Sequence, residues 1–234
     1  MNKYAVAGMV SLALTGFAQG AAAQDYAAKP GGQALHWYVG AGLGEDFASI
    51  PQQTINAVNS AIFPNVPGAT SSVIGTDNRS TGAKLFVGYS FNRYFAVEGG
   101  YAPLGASSAD IRYYSGAAVL VPVGSFNMEY KMTAAYIDAV GSLPLNQKWS
   151  LLGRIGAAYG RTNVSVSGNP VTLVLSSSQA SKSTVRAKFG AGVDYNLNPA
   201  FTVRAEWELY QLPDPLSSAL IDVNAATLSL LYRF

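Results

Sequence analysis

The residues of this 234-residue chain that can do chemistry are few, and many of them stand two apart. Arg204, Glu206 and Glu208 alternate along one stretch; Arg186 and Lys188 do the same along another. Two carboxylates beside an arginine can serve general acid–base work, or they can simply hold an ion pair. The only histidine is His36, and no nucleophile–base pair is visible around it, so a hydrolytic triad is not expected. Gly40, Gly42 and Gly44 are spaced like part of a phosphate loop, but no helix follows them. There is no cysteine, which excludes disulfides, thiolate metal sites and a lipoprotein anchor. No metal-ligand cluster and no cofactor are expected. Net charge is +2 without a basic cluster, so nucleic acid is not an expected partner. These residues read as ion-pair partners, and the chain is not expected to be an enzyme.

A spacing of two is the period of a β-strand. Eight segments show it: 36–44, 82–91, 93–101, 129–141, 148–161, 184–197, 201–209 and 225–234. Each is near the roughly 9–11 residues that a tilted membrane-spanning strand needs. Only 12% of residues are charged, against about 25% in a soluble domain. Hydrophobic residues make up 49%, yet past the N-terminus no run approaches a spanning helix. The fold expected is all-β: a transmembrane antiparallel up-and-down β-barrel of eight strands over residues 35–234.

The chain ends support this. Lys3, an apolar run to Phe17 and Ala21-Ala22-Ala23 read as a secretory signal peptide over 1–23. A short periplasmic segment, 24–34, would follow. The last strand alternates Leu228, Leu230, Tyr232 and Phe234, an apolar edge that a closed barrel hides by pairing it. Short turns at Asn92, at 144–147 and at Asn198-Pro199 alternate with long links at 45–81, 102–128, 162–183 and 210–224. Short periplasmic turns and long external loops are the outer-membrane arrangement. Both mature termini would then lie in the periplasm of a Gram-negative bacterium. The turn ends of the strands carry Trp37, Tyr89, Phe91, Phe95, Trp149, Tyr195, Phe201, Tyr232 and Phe234 on the outward parity. Such aromatics form a girdle at a membrane–water interface.

The opposite parity collects the charges: Lys84, Glu98, Asp138, Arg154, Arg186, Lys188, Asp194, Arg204, Glu206, Glu208 and Arg233. An eight-stranded barrel is only wide enough for side chains to fill. Charges in so narrow a space should pair. A lumen network of Glu98, Asp138, Arg154, Lys188, Asp194, Arg204 and Glu206 is therefore expected to plug the interior. Inward glycines leave room for the long side chains to cross.

Three stretches carry a family resemblance: 36–44 (HWYVGAGLG), 92–101 (NRYFAVEGGY) and 190–208 (GAGVDYNLNPAFTVRAEWE). The sequence resembles the OmpA-like eight-stranded outer-membrane barrels. The resemblance implies an interior ion-pair cluster, matched here by Glu98, Asp194 and Arg204. Asp138 lies near the position where the family has a lysine on its fourth strand. It also implies that the assembly machinery reads the terminal aromatic, Phe234. Many members continue into a peptidoglycan-binding domain; that function is not carried over to this chain.

The links are unusually apolar. Residues 52–63 can form a short amphipathic helix, since Ile55, Val58 and Ile62 share a face. The third link has two β-rich arms, 163–167 and 171–176, around Gly168-Asn169-Pro170. Either the arms extend strands beyond the bilayer and the apolar residues pack loop on loop, or the loops offer a binding surface, with Ile55, Ile62, Val119 and Val121 as candidate contacts. The expected role is structural or surface-interacting, with membrane lipid, lipopolysaccharide and a surface protein as partners. The alternative is a small OmpW-like channel or carrier for small or hydrophobic solutes.

Overall fold

The computed structural model describes residues 36–62, 71–115, 121–170 and 178–234. The expected signal peptide and the segment 24–34 lie outside the described residues. Alternation along each segment places one row of side chains inside and one outside, and a sheet with that pattern closes on itself. The strands are β1 (His36–Ser49), β2 (Ser71–Asp77), β3 (Arg79–Ser90), β4 (Phe95–Ser115), β5 (Val121–Pro144), β6 (Trp149–Pro170), β7 (Ser178–Asn196), β8 (Phe201–Pro213) and β9 (Leu220–Arg233). One helix, α1 (Gln52–Ile62), follows β1. The ring runs β4-β3-β1-β9-β8-β7-β6-β5 and closes from β5 back to β4, every pair antiparallel. β2 and β3 occupy successive stretches of β4, pairing with 108–114 and 96–101 respectively. The barrel therefore has eight strand positions.

Three tight turns share one device. Asn92 Oδ1 accepts the N–H groups of Tyr94 and Phe95 at 2.8 and 2.9 Å. Asn146 does the same for Lys148 and Trp149, and Asn198 for Ala200 and Phe201. The repeat is an apolar residue, Asn, two turn residues, then the aromatic that opens the next strand. The side chain caps a backbone that lacks a ladder partner there. Asn92→Ala should cost about 1–2 kcal/mol, since two N–H groups lose their acceptor. Equilibrium unfolding in vesicles reads it.

The strands are much longer at the other end than the alternation indicates. The link 102–128, expected as a loop, is largely strand; in 162–183 the β-rich arm 163–167 extends its strand, as expected, and 171–176 lies outside the described residues. β4 to β7 run 21, 24, 22 and 19 residues, while β1, β8 and β9 have 14, 13 and 14. A wall built from β2, β4, β5, β6 and β7 thus rises well above the rest of the rim. Gly105 explains why this was hidden. Its φ is +68°, the left-handed region, and the β4–β5 register slips between Pro103 and Ala106. One extra residue flips every later side chain to the other face. Inward positions on β4 are even up to Leu104 and odd from Ser107 on. The slip turns Ala109, Ile111 and Tyr113 inward, where they are buried.

Candidate functional site

The ring sets the chemistry by bringing inward residues from distant strands across a narrow lumen. Near the turn end, Arg233 donates to Asn196 and Thr202 at 3.0 and 2.6 Å. Above it, Arg204 grips Asp194 in a two-pronged contact, Nε and Nη2 at 2.7 and 3.0 Å. Arg204 also donates to Glu98, which accepts from Tyr38 Oη at 2.7 Å. Arg154 is the centre. It donates to Glu98 and Glu208 and lies 3.2 Å from Glu206 and 3.6 Å from Asp138. Lys188 bridges Asp138 and Glu208 at 2.6 and 2.5 Å. Lys84 pairs with Glu206, and with Glu208 at 3.0 Å. Arg233 is partly buried, and the charged side chains above it are all buried. The seven residues read from sequence share one network, and Lys84 and Glu208 complete it.

Arg186, read as lumenal, is exposed. The reason is in the sheet: β7 pairs with β8 only up to Lys188 opposite Tyr210. Beyond that point β8 leaves β7, and the inward parity of Arg186 opens on solvent. Close packing elsewhere depends on glycine. A Cβ at Gly190 would lie 2.9 Å from the Arg154 side chain. Lys188 also stands over the Tyr136 ring at 4.2 Å, which adds a cation–π contact at the top of the network.

Above the charges the lumen turns apolar, with Leu104, Met132, Leu212 and Ile221. The inner face of the tall wall continues this core through Ile111, Tyr113, Phe126, Met128 and Val164. Ile50 and Val58 pack against it from the β1–α1 side and Leu216 from the β8–β9 turn. Asp214 joins these pieces: its carboxylate accepts from Thr54 on α1 at 2.5 Å and from Ser217 at 2.6 Å. Lys182 on β7 donates to the carbonyls of Asp214 and Ser217. Tyr113 donates to Asn59 on α1 at 3.2 Å. The helix expected near 52–63 is thus a cover over the wall's inner face. Of the candidate loop contacts, Ile55 is half-buried on α1. The side chains of Ile62 and Val121, and all of Val119, lie outside the described residues.

Burial raises the Tyr113 phenol to about 12 and also raises Tyr130. The unfolded phenol ionises near 10. The folded Tyr113 stays protonated longer, so its stability contribution is complete below that pH. It should fall as pH climbs from about 10 to about 12. Ultraviolet titration of wild type against Tyr113→Phe measures the phenol directly.

Outside, the nine aromatics read as a girdle face outward near the turn end. Trp149 and Tyr195 pack at 4.7 Å between centroids, Trp37 and Tyr89 at 5.0 Å, Phe201 and Tyr232 at 5.2 Å. A second ring went unread in the sequence. Tyr101, Tyr159 and Trp207 are about half exposed, and Phe47 stacks on Trp207 at 6.2 Å. Counting ten residues on from each lower aromatic would have found Phe47 and Tyr159. Between the rings lies an exposed apolar band including Leu43, Leu85, Val97, Ile137, Ile155, Phe189 and Leu228. Among the described residues no helix is long and apolar enough to cross a membrane. Nor do three or more His, Asp or Glu side chains there gather as a metal site.

The family that the sequence matches agrees with this geometry. The family model for the outer membrane protein beta-barrel domain matches residues 9–234. An uncharacterised Coxiella burnetii protein is 26% identical over 172 residues, covering 67% of this chain and 69% of that one. Among solved structures, the attachment invasion locus protein Ail of Yersinia pestis aligns with a TM-score of 0.48 at 20% identity. That alignment covers 86% of this chain and 99% of Ail. Neisserial surface protein A aligns with a TM-score of 0.47 at 13% identity, covering 86% and 100%. With its closed antiparallel ring, apolar belt and a family match over nearly its whole length, this chain belongs to the outer membrane protein β-barrel domain family.

Proposed function

We propose that the protein is a closed, non-enzymatic outer-membrane barrel that stabilises the envelope or adheres through the structure standing on its tall wall. The short asparagine turns and both termini face the periplasm; the wall, α1 and the β8–β9 turn face outward. One observation carries the reading. Arg154, Arg204, Lys84 and Lys188 tie together carboxylates from β4, β5, β7 and β8 across the lumen. Solutes have no path through side chains so joined, because breaking one bridge leaves a buried charge. Ile50 and Val58 of the first link and Leu216 of the last pack against the wall's inner face, so adhesion falls to the outer rim and to the link around Val119 and Val121. Lipopolysaccharide surrounds the barrel, and the assembly machinery engages the last strand at Phe234.

The test is conductance of the refolded protein in a planar bilayer. Wild type should be silent or conduct weakly, and Glu98→Gln or Arg204→Gln should raise the conductance. Large wild-type channels indifferent to these changes would favour the channel or carrier reading. The parting of β7 from β8 above Lys188, beside the apolar upper lumen, is the observation on that side.

A further inference from the structure

The outer face of the barrel is bare in one place. Gly141 on β5 and Gly153 on β6 stand opposite each other on the outward parity. A Cβ at Gly153 would meet nothing within 4 Å, and one at Gly141 would meet only the Gly153 carbonyl oxygen at 3.9 Å. No neighbouring side chain leans over the pair. Tyr94, Phe95, Leu143 and Leu151 rise around them and leave an open, mostly apolar groove of about 560 Å³. Phe95 stands opposite Gly141, and the Tyr94 carbonyl accepts the Ser142 N–H at 2.8 Å, so the turn before β4 is tied to the groove's edge. The groove begins at Phe95 in the lower girdle and rises past Gly153 toward Ile155, inside the apolar band. Glycine weakens a strand interior, and it marks places where a ligand or another backbone comes close.

Charge at the mouth decides between those two. The Arg93 guanidinium lies 4.7 Å from the centre of the Tyr94 ring, in the turn beside the groove. Lys148 sits in the turn that joins β5 to β6, the two strands that carry the glycines. Both side chains are exposed, and among the described residues neither has an ion-pair partner. The described carboxylates that are not buried, those of Glu45, Asp77, Asp110, Glu129 and Asp222, all lie toward the other end of the strands. A second copy docked here about a two-fold axis would set Arg93 and Lys148 against their own counterparts. An anionic amphiphile answers both features: its chain fills the groove and its phosphate meets the cations.

We propose that this groove binds one anionic phospholipid of the periplasmic leaflet, with an acyl chain over Gly141 and Gly153 and the phosphate at Arg93 and Lys148. The leaflet rests on the orientation proposed above; the groove and its cations do not.

The experiment is native mass spectrometry of the refolded barrel in detergent, with dioleoyl phosphatidylglycerol or dioleoylglycerol added. Wild type should retain one phosphatidylglycerol and release the uncharged lipid. Arg93→Gln and Lys148→Gln should each weaken retention about fivefold, the scale of one interfacial cation. Gly141→Leu combined with Gly153→Leu should abolish it; both leucines start in open space, so the variant should fold, and its melting temperature verifies that. Gly99→Leu, outward on β4 but outside the groove, and Arg161→Gln, near the other rim, should retain lipid like wild type. Equal retention by wild type, the double leucine variant and the Arg93→Gln/Lys148→Gln variant overturns the site. So does a barrel dimer that the double leucine change removes, which gives the groove to a second copy. Labelling of Lys148→Cys by an impermeant maleimide in intact cells overturns the leaflet, and with it the orientation, while the detergent measurement still judges the groove.

Discussion

Arg154→Ala should cost the barrel about 3–5 kcal/mol, the scale of a buried pair broken on one side. Arg154 is 4% exposed and touches carboxylates from three strands: Glu98 on β4, Asp138 on β5, and Glu206 and Glu208 on β8. Its removal leaves those acids with two lysines and Arg204, none able to reach the vacated centre without releasing its own partner. Arg204→Ala should cost less, because Asp194 lies nearer the turn end and is 5% exposed. The check is equilibrium unfolding in phospholipid vesicles. An isosteric Arg154→Met measured beside it separates lost packing from lost charge. Equal stability of wild type, Arg154→Ala and Arg154→Met would mean that the network contributes nothing. Combining Arg154→Ala with Glu208→Gln should recover part of the loss, since the pair then leaves fewer stranded charges.

On the opposite face, Ile155→Arg should cost about 2–4 kcal/mol, the penalty for a cation at the bilayer midplane on a lipid-facing strand. Ile155 stands between Trp149 of the lower girdle and Tyr159 of the upper, and it is 58% exposed among apolar neighbours. Ser165→Arg provides the contrast. It shares the strand and the outward parity but stands above the upper girdle, so its cost should be within about 0.5 kcal/mol. The difference between the two measures where the hydrocarbon ends. If both cost the same, the band between the two aromatic rings is not the lipid belt.

Alternation by itself determined a great deal. A period of two needs no partner to be seen, so eight strands, the inward placement of Glu98, Asp138, Arg154, Lys188, Asp194, Arg204 and Glu206, and the outward aromatics could be read residue by residue. The three asparagine turns were equally local. Tertiary structure decided the rest. Lys84 meets Glu206 across 122 positions of chain, and Arg204 meets Glu98 across 106, so which acid each cation takes depends on how the ring closes. On β6 the β-rich arm 163–167 already showed the extension, but on β4 the height of the wall was illegible because Gly105 shifts the parity midway, and a pattern that changes phase looks like a loop. Arg186 shows the same limit from the other side. Its parity points inward, but a strand encloses its lumen only while a neighbour stays paired, and β8 leaves β7 at Tyr210. Asp46 lay inside a link read as loop; only the ladder of β1 with β3 and β9 places its carboxylate in the lumen.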